Sequence, residues 1–340
     1  MPSVLEQRQL MAECEAEGLE LLGPCPPHLG ETWIDIPLPN NQINRTKLVW
    51  PRSSGGLPIQ CPLVTYFHGG GYSVASPDLL LSPARGFATV LSCVVACPQN
   101  NQLPEQPFPA SIRNAWEVCA WLSDAKNLND GVLKDESASV DLDGGFIVGG
   151  LSSGGSVAAV VGSIPVAMKA GIPEFAGLTA LQSPVTGLFV GISFLVTEAM
   201  LPAEYREIFT SRDEPRENKE LTDALRRDLE GMLDVHSPWF SPLNLNVSDL
   251  KTTQDHPPKV VVYGGDRDQF RDDSVIYGKW LSQFANVQVR ASILKDNDHT
   301  GWVSPPWPAS HTRAIKDFTL DGMAWLLDLE WDRSREDLPY

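Results

Sequence analysis

The chain has 340 residues, 42% of them apolar and 20% charged, a balance that excludes a disordered polypeptide and leaves material for a large buried core. Its 43 acidic against 26 basic side chains give a net charge of −17. Such a field repels nucleic acid and anionic membrane surfaces and suits a neutral or apolar small-molecule partner.

The N-terminus, Met1-Pro2-Ser3-Val4-Leu5-Glu6, has neither a basic nor an apolar leader region, and no signal peptide is read there. Residues 4–22 are expected to form a helix with Leu5, Leu10, Met11, Leu19 and Leu22 on its apolar side, stopped by Gly23-Pro24. Residues 32–37 and 46–50 follow as an antiparallel pair of strands around the turn Asn40-Asn41. Compact apolar runs at 63–67, 90–96 and 145–148 are strand candidates, with a helix expected over 109–122. A small-residue helix should follow Gly154 and be kinked or broken by Pro165. Residues 178–181, 259–263 and 287–294 complete the strands.

Strands separated by helices imply an α/β fold, a mostly parallel, doubly wound sheet covered on both faces. Residues 187–235 interrupt the alternation with two helices, 202–209 and 219–233. They are expected to form a helical cap together with residues 1–30, over a core of residues 31–186 and 236–340.

Cys14, Cys25, Cys61, Cys93, Cys97 and Cys119 have no CxxC pair and no histidine at zinc spacing, so reduced structural thiols are expected and no metal site. The sequons at Asn44 and Asn246 read as chance matches. The longest apolar stretch, near residues 188–196, is too short to span a bilayer. A cytoplasmic protein without a membrane span is the expectation, and a homodimer is compatible with it.

The chemistry concentrates in two glycine-rich turns. The first motif is Gly150-Leu151-Ser152-Ser153-Gly154, a G-x-S-x-G leaving an apolar strand and opening a helix. A serine on so sharp a turn is exposed at its tip, and residues two positions either side come too close for a Cβ. Ser152 is therefore the candidate nucleophile. The second is His68-Gly69-Gly70-Gly71-Tyr72, again following a strand. The N–H groups of Gly70 and Gly71, with that of Ser153, are expected as an oxyanion hole. Gly69, Tyr72 and Leu151 are expected beside the substrate, and His68 is expected to brace its own loop.

HGGG plus an aromatic, then G-x-S-x-G-G about eighty residues later, resembles the hormone-sensitive-lipase-like branch of the α/β-hydrolase esterases. Pro104-Glu105-Gln106-Pro107-Phe108-Pro109-Ala110 is similar to that branch's P-E-x-x-F-P-A segment, and the likeness covers roughly residues 30–330. It implies a triad in the order Ser, Asp, His; with no metal-ligand cluster visible in the sequence, no cofactor is expected. Matching the trailing Arg-Asp of a D-P-L-R-D-like segment puts the acid at Asp268, with Asp266 the competitor and Asp272 a helix N-terminal charge. The base is expected at His299, after the last strand; His28, His236, His256 and His311 are expected elsewhere.

The chain departs from the branch at Leu151, where Asp is usual, at Ser153, Ser156 and Asn100-Asn101, and at Thr300-Gly301-Trp302 after the histidine. The implied activity is that of a serine esterase cleaving a carboxylic ester or lactone. The alternative is a non-hydrolytic catalyst on the same fold, performing cyclisation, dehydration or acyl transfer on a specialised metabolite. A hormone-receptor-like module is the third reading, disfavoured because His299 is present.

Overall fold

The computed structural model describes residues 3–53, 55, 58–245, 254–299 and 309–335, leaving aside the side chains of residues 40 and 309–312. Among them eight strands form the central sheet, in the spatial order β1 (Leu29–Leu38), β2 (Gln42–Pro51), β5 (Val94–Pro98), β4 (Leu63–Phe67), β7 (Phe146–Leu151), β8 (Gly187–Gly191), β9 (Lys259–Gly265) and β10 (Gln288–Leu294). β1 and β2 pair antiparallel, β2 joins β5 antiparallel, and the remaining six strands run parallel. Short strands β3 (Ile59–Cys61) and β6 (Ala138–Val140) form a separate pair.

The inner strands read as unbroken apolar runs because helices cover both faces of a parallel sheet. Every residue of β4, β5, β7 and β8 is buried. One face packs α3 (Ala110–Leu122), α5 (Ser153–Lys169) and α7 (Arg271–Leu281), with Trp116, Val157, Ile164 and Ile276 in its core. The other packs α2 (Leu81–Val90) and α8 (Ala309–Leu326) through Phe87, Leu320 and Met323.

Strand order reverses around β4. The chain leaves β4 for β5 on one side and returns to β7 on the other, so the crevice beyond the C-terminal ends of β4 and β7 is the topological switch point. Phe67 and Gly150 are register partners there. The residues that follow each strand, His68-Gly69-Gly70 and Ser152, therefore emerge side by side.

Several expectations need correction. Residues 178–181 are not a strand; the strand is β8, Gly187–Gly191, so the inserted segment begins after Gly191 rather than at 187. The apolar run from 90 begins as the end of α2, and only Val94–Pro98 is strand. α5 continues through Pro165 to Lys169. Within the insertion, residues 203–208 form a 3-10 helix, and α6 spans Lys219–Met232. The helix α4 (Lys126–Asn129) is a single turn.

α1 (Val4–Leu22) has the expected bounds but not the expected docking face. Leu5 and Leu10 are 73% and 56% exposed, while Leu19 and Leu22 pack against the core and Arg8 and Glu15 face the protein.

All six cysteines are free, four of them buried, and burial pushes the Cys61 thiol up to about 12. Asn44 is buried, its side-chain amide donating to Gln99 O at 2.7 Å, which leaves that sequon no glycan site; Asn246 lies outside the described residues. Among the described residues no helix is long and apolar enough to cross a membrane.

Candidate active site

Ser152 sits between β7 and α5 at φ +55°, ψ −122°, a conformation that a side-chain-bearing residue adopts only when its surroundings impose it. Those surroundings are identifiable. Ser152 N–H donates to Gly191 O at 2.9 Å, and Ser152 O accepts from Ser156 N–H at 3.0 Å as α5 starts. A Cβ at Gly154 would run into Phe67 O and His68 O, and one at Gly150 would lie 2.7 Å from Phe67 O and overlap the Gly154 backbone. The glycines of the G-x-S-x-G turn are thus required by the closeness of β4 to the start of α5.

The turn points Ser152 Oγ at His299. The hydroxyl lies 2.9 Å from His299 Nε2, and His299 Nδ1 lies 2.9 Å from Asp268 Oδ2. An ionised Asp268 only accepts, so Nδ1 carries the proton and Nε2 presents its lone pair to the Ser152 O–H. Asp268 is fully buried at its carboxylate, and its Oδ1 accepts from Phe270 N–H at 2.8 Å. Burial lowers the His299 pKa, but the Asp268 carboxylate, its hydrogen bond and the Asp298 charge outweigh that, so the pKa is raised from its ordinary value. Phe270 meets the His299 ring edge-on, centroids 5.1 Å apart.

The competitor Asp266 does different work. Its Oδ1 accepts from Asn297 N–H at 3.1 Å, and its N–H donates to Leu294 O at 3.0 Å, tying the loop after β9 to the loop that carries His299. Asp272 lies in the first turn of α7, as expected, where Oδ2 accepts from Thr210 and Ser211 N–H at 2.6 Å each.

The glycine turn after β4 lies against the nucleophile: a Cβ on Gly69 would be 3.2 Å from both Leu151 O and Ser152 Cβ. Gly70 and Gly71 take φ of +102° and +57°, and above Gly71 the nearest atom to an added Cβ is Leu229 Cδ2 of α6, at 3.9 Å. Ser153 is buried, and its N–H opens α5, where no helical acceptor exists. His68 braces this loop. Its Nδ1 donates to Gly69 O at 2.7 Å, its Nε2 accepts from Asn100 N–H at 3.1 Å, and Asn100 Nδ2 donates to His68 O at 2.9 Å. Burial pulls its pKa down to about 4, so it stays neutral at ordinary pH.

Ser152, Asp268, His299, Gly69, Gly70, Gly71 and Ser153 are thus brought together. Leu151 is not: at the end of β7 its side chain turns to the opposite face, 3% exposed in the core with Phe87 and Leu320. That corrects the expectation that it borders the substrate. Tyr72 is also 3% exposed, its phenol beside Ser156. His256 is buried against Phe284, while His28 meets Thr89 away from the nucleophile. Thr300-Gly301-Trp302 and the His311 side chain lie outside the described residues.

Sequence reasoning missed Asn100, Phe270 and the buried pair Arg212–Asp273. Arg212 Nη2 lies 2.7 Å from Asp273 Oδ2 and its guanidinium covers the Phe270 ring, 4.7 Å from the centroid. Asp273 Oδ1 accepts from Leu195 and Val196 N–H at 2.8 and 2.9 Å. No local motif marks these residues, because the partners that place them at the site, His68 for Asn100, His299 for Phe270 and Asp273 for Arg212, are tens of positions distant.

Residues 64–303 match a family model described as alpha/beta hydrolase fold. Among curated proteins, the esterase LipI of Mycobacterium tuberculosis is 26% identical over 259 residues, 76% of this chain and 71% of that protein. The carboxylesterase NlhH of the same species is 26% identical over 68% of this chain and 63% of its own length. Carboxylesterase 20 of Arabidopsis thaliana is 31% identical over 39% of this chain and 37% of its own length. Among solved structures, a vibralactone cyclase superposes with a TM-score of 0.74 at 20% identity, over 96% of this chain and 90% of its own. An esterase of Pyrobaculum calidifontis gives 0.73 at 20% identity, over 96% and 94%. At such identities the superpositions speak for the fold alone.

Proposed function

We propose, for a chain that belongs to the α/β-hydrolase fold family, that it is a carboxylic ester hydrolase working through an acyl-serine intermediate on Ser152. The observation that carries the reading is the unbroken hydrogen-bond line from Ser152 Oγ through His299 to the buried Asp268.

In this scheme Ser152 Oγ attacks the ester carbonyl carbon while His299 Nε2 takes its proton. The carbonyl oxygen becomes an oxyanion facing the N–H groups of Gly70, Gly71 and Ser153, and Asp268 stabilises the imidazolium. Collapse breaks the C–O bond, and His299 returns the proton to the departing alcohol. Water then attacks the acyl-serine by the same path, releasing the acid and restoring Ser152. α1 and the insertion after Gly191 act as the cap, with Leu229 above the oxyanion turn as part of the pocket roof.

A second reading, transfer of the acyl group to a nucleophile other than water, is raised by the likeness to a vibralactone cyclase. A chain-length series of p-nitrophenyl esters tests both. The wild type is expected to hydrolyse short neutral esters, and Ser152→Ala to hydrolyse none above background. Full turnover by Ser152→Ala overturns it. Products that keep the acyl group on a carbon or alcohol acceptor, with no free acid, select the second reading.

A further inference from the structure

The turn after β4 is built of backbone that does not hold itself. Four of its residues have positive φ: Gly70 at +102°, Gly71 at +57°, Tyr72 at +60° and Ala75 at +71°. Two are not glycine, and such residues keep that conformation only where outside contacts over-determine it. Within the turn, Gly70 O accepts from Ser73 and Val74 N–H at 3.0 Å each. Ser73 Oγ donates to Gly71 O at 3.2 Å and His68 Nδ1 to Gly69 O at 2.7 Å, and further restraints come from far away in the sequence.

Leu103 N–H donates to Tyr72 O at 2.8 Å. Arg8, on α1, then joins the two segments: Nε donates to Ser73 O and Nη2 to Leu103 O, both at 2.8 Å. Its remaining edge meets Glu105, with Nη1 2.9 Å from Oε1 and Nη2 2.7 Å from Oε2. Glu105 belongs to the P-E-x-x-F-P-A segment, and the bond from Arg8 lowers its pKa to about 2, so it is ionised throughout the working range. Two turns along the same face of α1, Glu15 Oε1 accepts from Ser76 N–H at 2.7 Å and Oε2 from Ser76 Oγ at 2.9 Å. No residue of α1 is fully buried. Its N-terminal half is therefore held on the turn chiefly by polar contacts.

We infer that α1 braces the oxyanion turn from outside, and that Arg8 is a positioning residue for the reaction, fixing the Ser73–Val74 peptide plane directly and the Tyr72–Ser73 plane through Leu103, just beyond Gly70 and Gly71. Only a planar guanidinium reaches two carbonyls and a carboxylate at once; an ammonium is a point donor. The inference rests on the reading of Gly70 and Gly71 as oxyanion donors. Docking of α1 then sets how well the turn stabilises the transition state, with little effect on how tightly substrate binds.

The test compares wild type, Arg8→Ala, Arg8→Lys and Glu105→Gln, counted by active-site titration so that any unfolded fraction is excluded. Two rates are read: turnover of a p-nitrophenyl ester, and phosphonylation of Ser152 by a fluorophosphonate. In the latter the Oγ–P bond forms, fluoride leaves and the Oγ proton passes to His299. For Arg8→Ala, kcat is expected to fall roughly tenfold, short of the hundredfold or more that follows outright loss of an oxyanion donor. KM stays within about a factor of two, the signature of an interaction made in the transition state. Phosphonylation slows by a similar factor. Arg8→Lys and Glu105→Gln fall between the two, and millimolar guanidinium restores part of the Arg8→Ala rate through the open cleft that Arg8 lines with Gln99, Asn100 and Gln102.

Phosphonylation and kcat at wild-type values in Arg8→Ala overturn the inference, as does a loss confined to KM. If wild type turns over esters but is never labelled at Ser152, the assignment of the nucleophile fails first and the brace fails with it.

Discussion

At the scale of single residues, the site depends on contacts too close for an extra carbon. Gly154→Ala puts a methyl against Phe67 O and His68 O, both backbone atoms that cannot turn aside. The variant is expected to lose nearly all turnover, and fluorophosphonate labelling of Ser152 checks it; normal labelling would show that the turn relaxes freely. The His299 pKa is raised from its ordinary value of 6.5, and the ring must be neutral to accept a proton. Activity should therefore rise with pH along a limb centred above 6.5. The same shift contributes stability below 6.5 that is lost as pH climbs through the folded-state value. Asp268→Asn removes the charge that raises it, so the limb should move down while kcat falls by about 10⁴-fold. A pH profile of kcat/KM for both proteins reads this, and an unmoved limb would assign it to another group.

These residues were legible because their chemistry forces local spacing: a serine two positions from each glycine, three glycines after a strand, a histidine after the last strand. Asp268 and Asp266 were not separable by spacing alone, since both lie in one loop. Distance separates them, one on His299 and the other on Asn297 N–H.

Among elements, an apolar run could be read where its ends coincide with the strand's and not where it continues beyond them. β4 is a run of five buried residues and was found with its bounds intact. β8, Gly-Leu-Phe-Val-Gly, is equally buried, but its apolar pattern continues into Ile192, Phe194, Leu195 and Val196, also buried, so periodicity alone does not show where sheet gives way to insertion. α1 misled for another reason, since Arg8 and Glu15 share its docking face with Leu19 and Leu22 while Leu5 and Leu10 stay outside.

The segment after Gly191 is held to α7 by Asp272 and Asp273, a few residues after Asp268. Arg212→Ala would leave Asp273 buried without its cation, expected to cost about 3–5 kcal/mol in urea unfolding. Burial already pushes Asp273 up to about 6. A carboxyl raised in the folded state loses stability as pH rises from its unfolded value towards the folded one, and that fall should extend to higher pH without Arg212. A loss under 1 kcal/mol, the range of a surface ion pair, would mean that the pair does not anchor the insertion. Leu229 reaches Gly71 from α6. Leu229→Ala should shift the preferred acyl chain to greater length with little change for acetate, and an unchanged chain-length profile would take α6 out of the pocket roof.

For the whole molecule, the net charge of −17 acts on approach rather than on chemistry. Added salt should raise kcat/KM for an anionic ester and leave a neutral one of the same length unchanged. The fold as a whole was readable because strand–helix alternation permits few arrangements. The segment after Gly191 was less so, because its anchors on α7 are buried polar contacts between distant segments.

The claim on which everything else turns is that Ser152 becomes acylated. Quenching the protein during turnover of a slowly deacylating ester and weighing its peptides measures that directly. The acyl mass is expected on the peptide holding Ser152, and is expected to be absent in Ser152→Ala. Sustained hydrolysis with no acyl adduct at Ser152, or with the adduct on another residue, would contradict it.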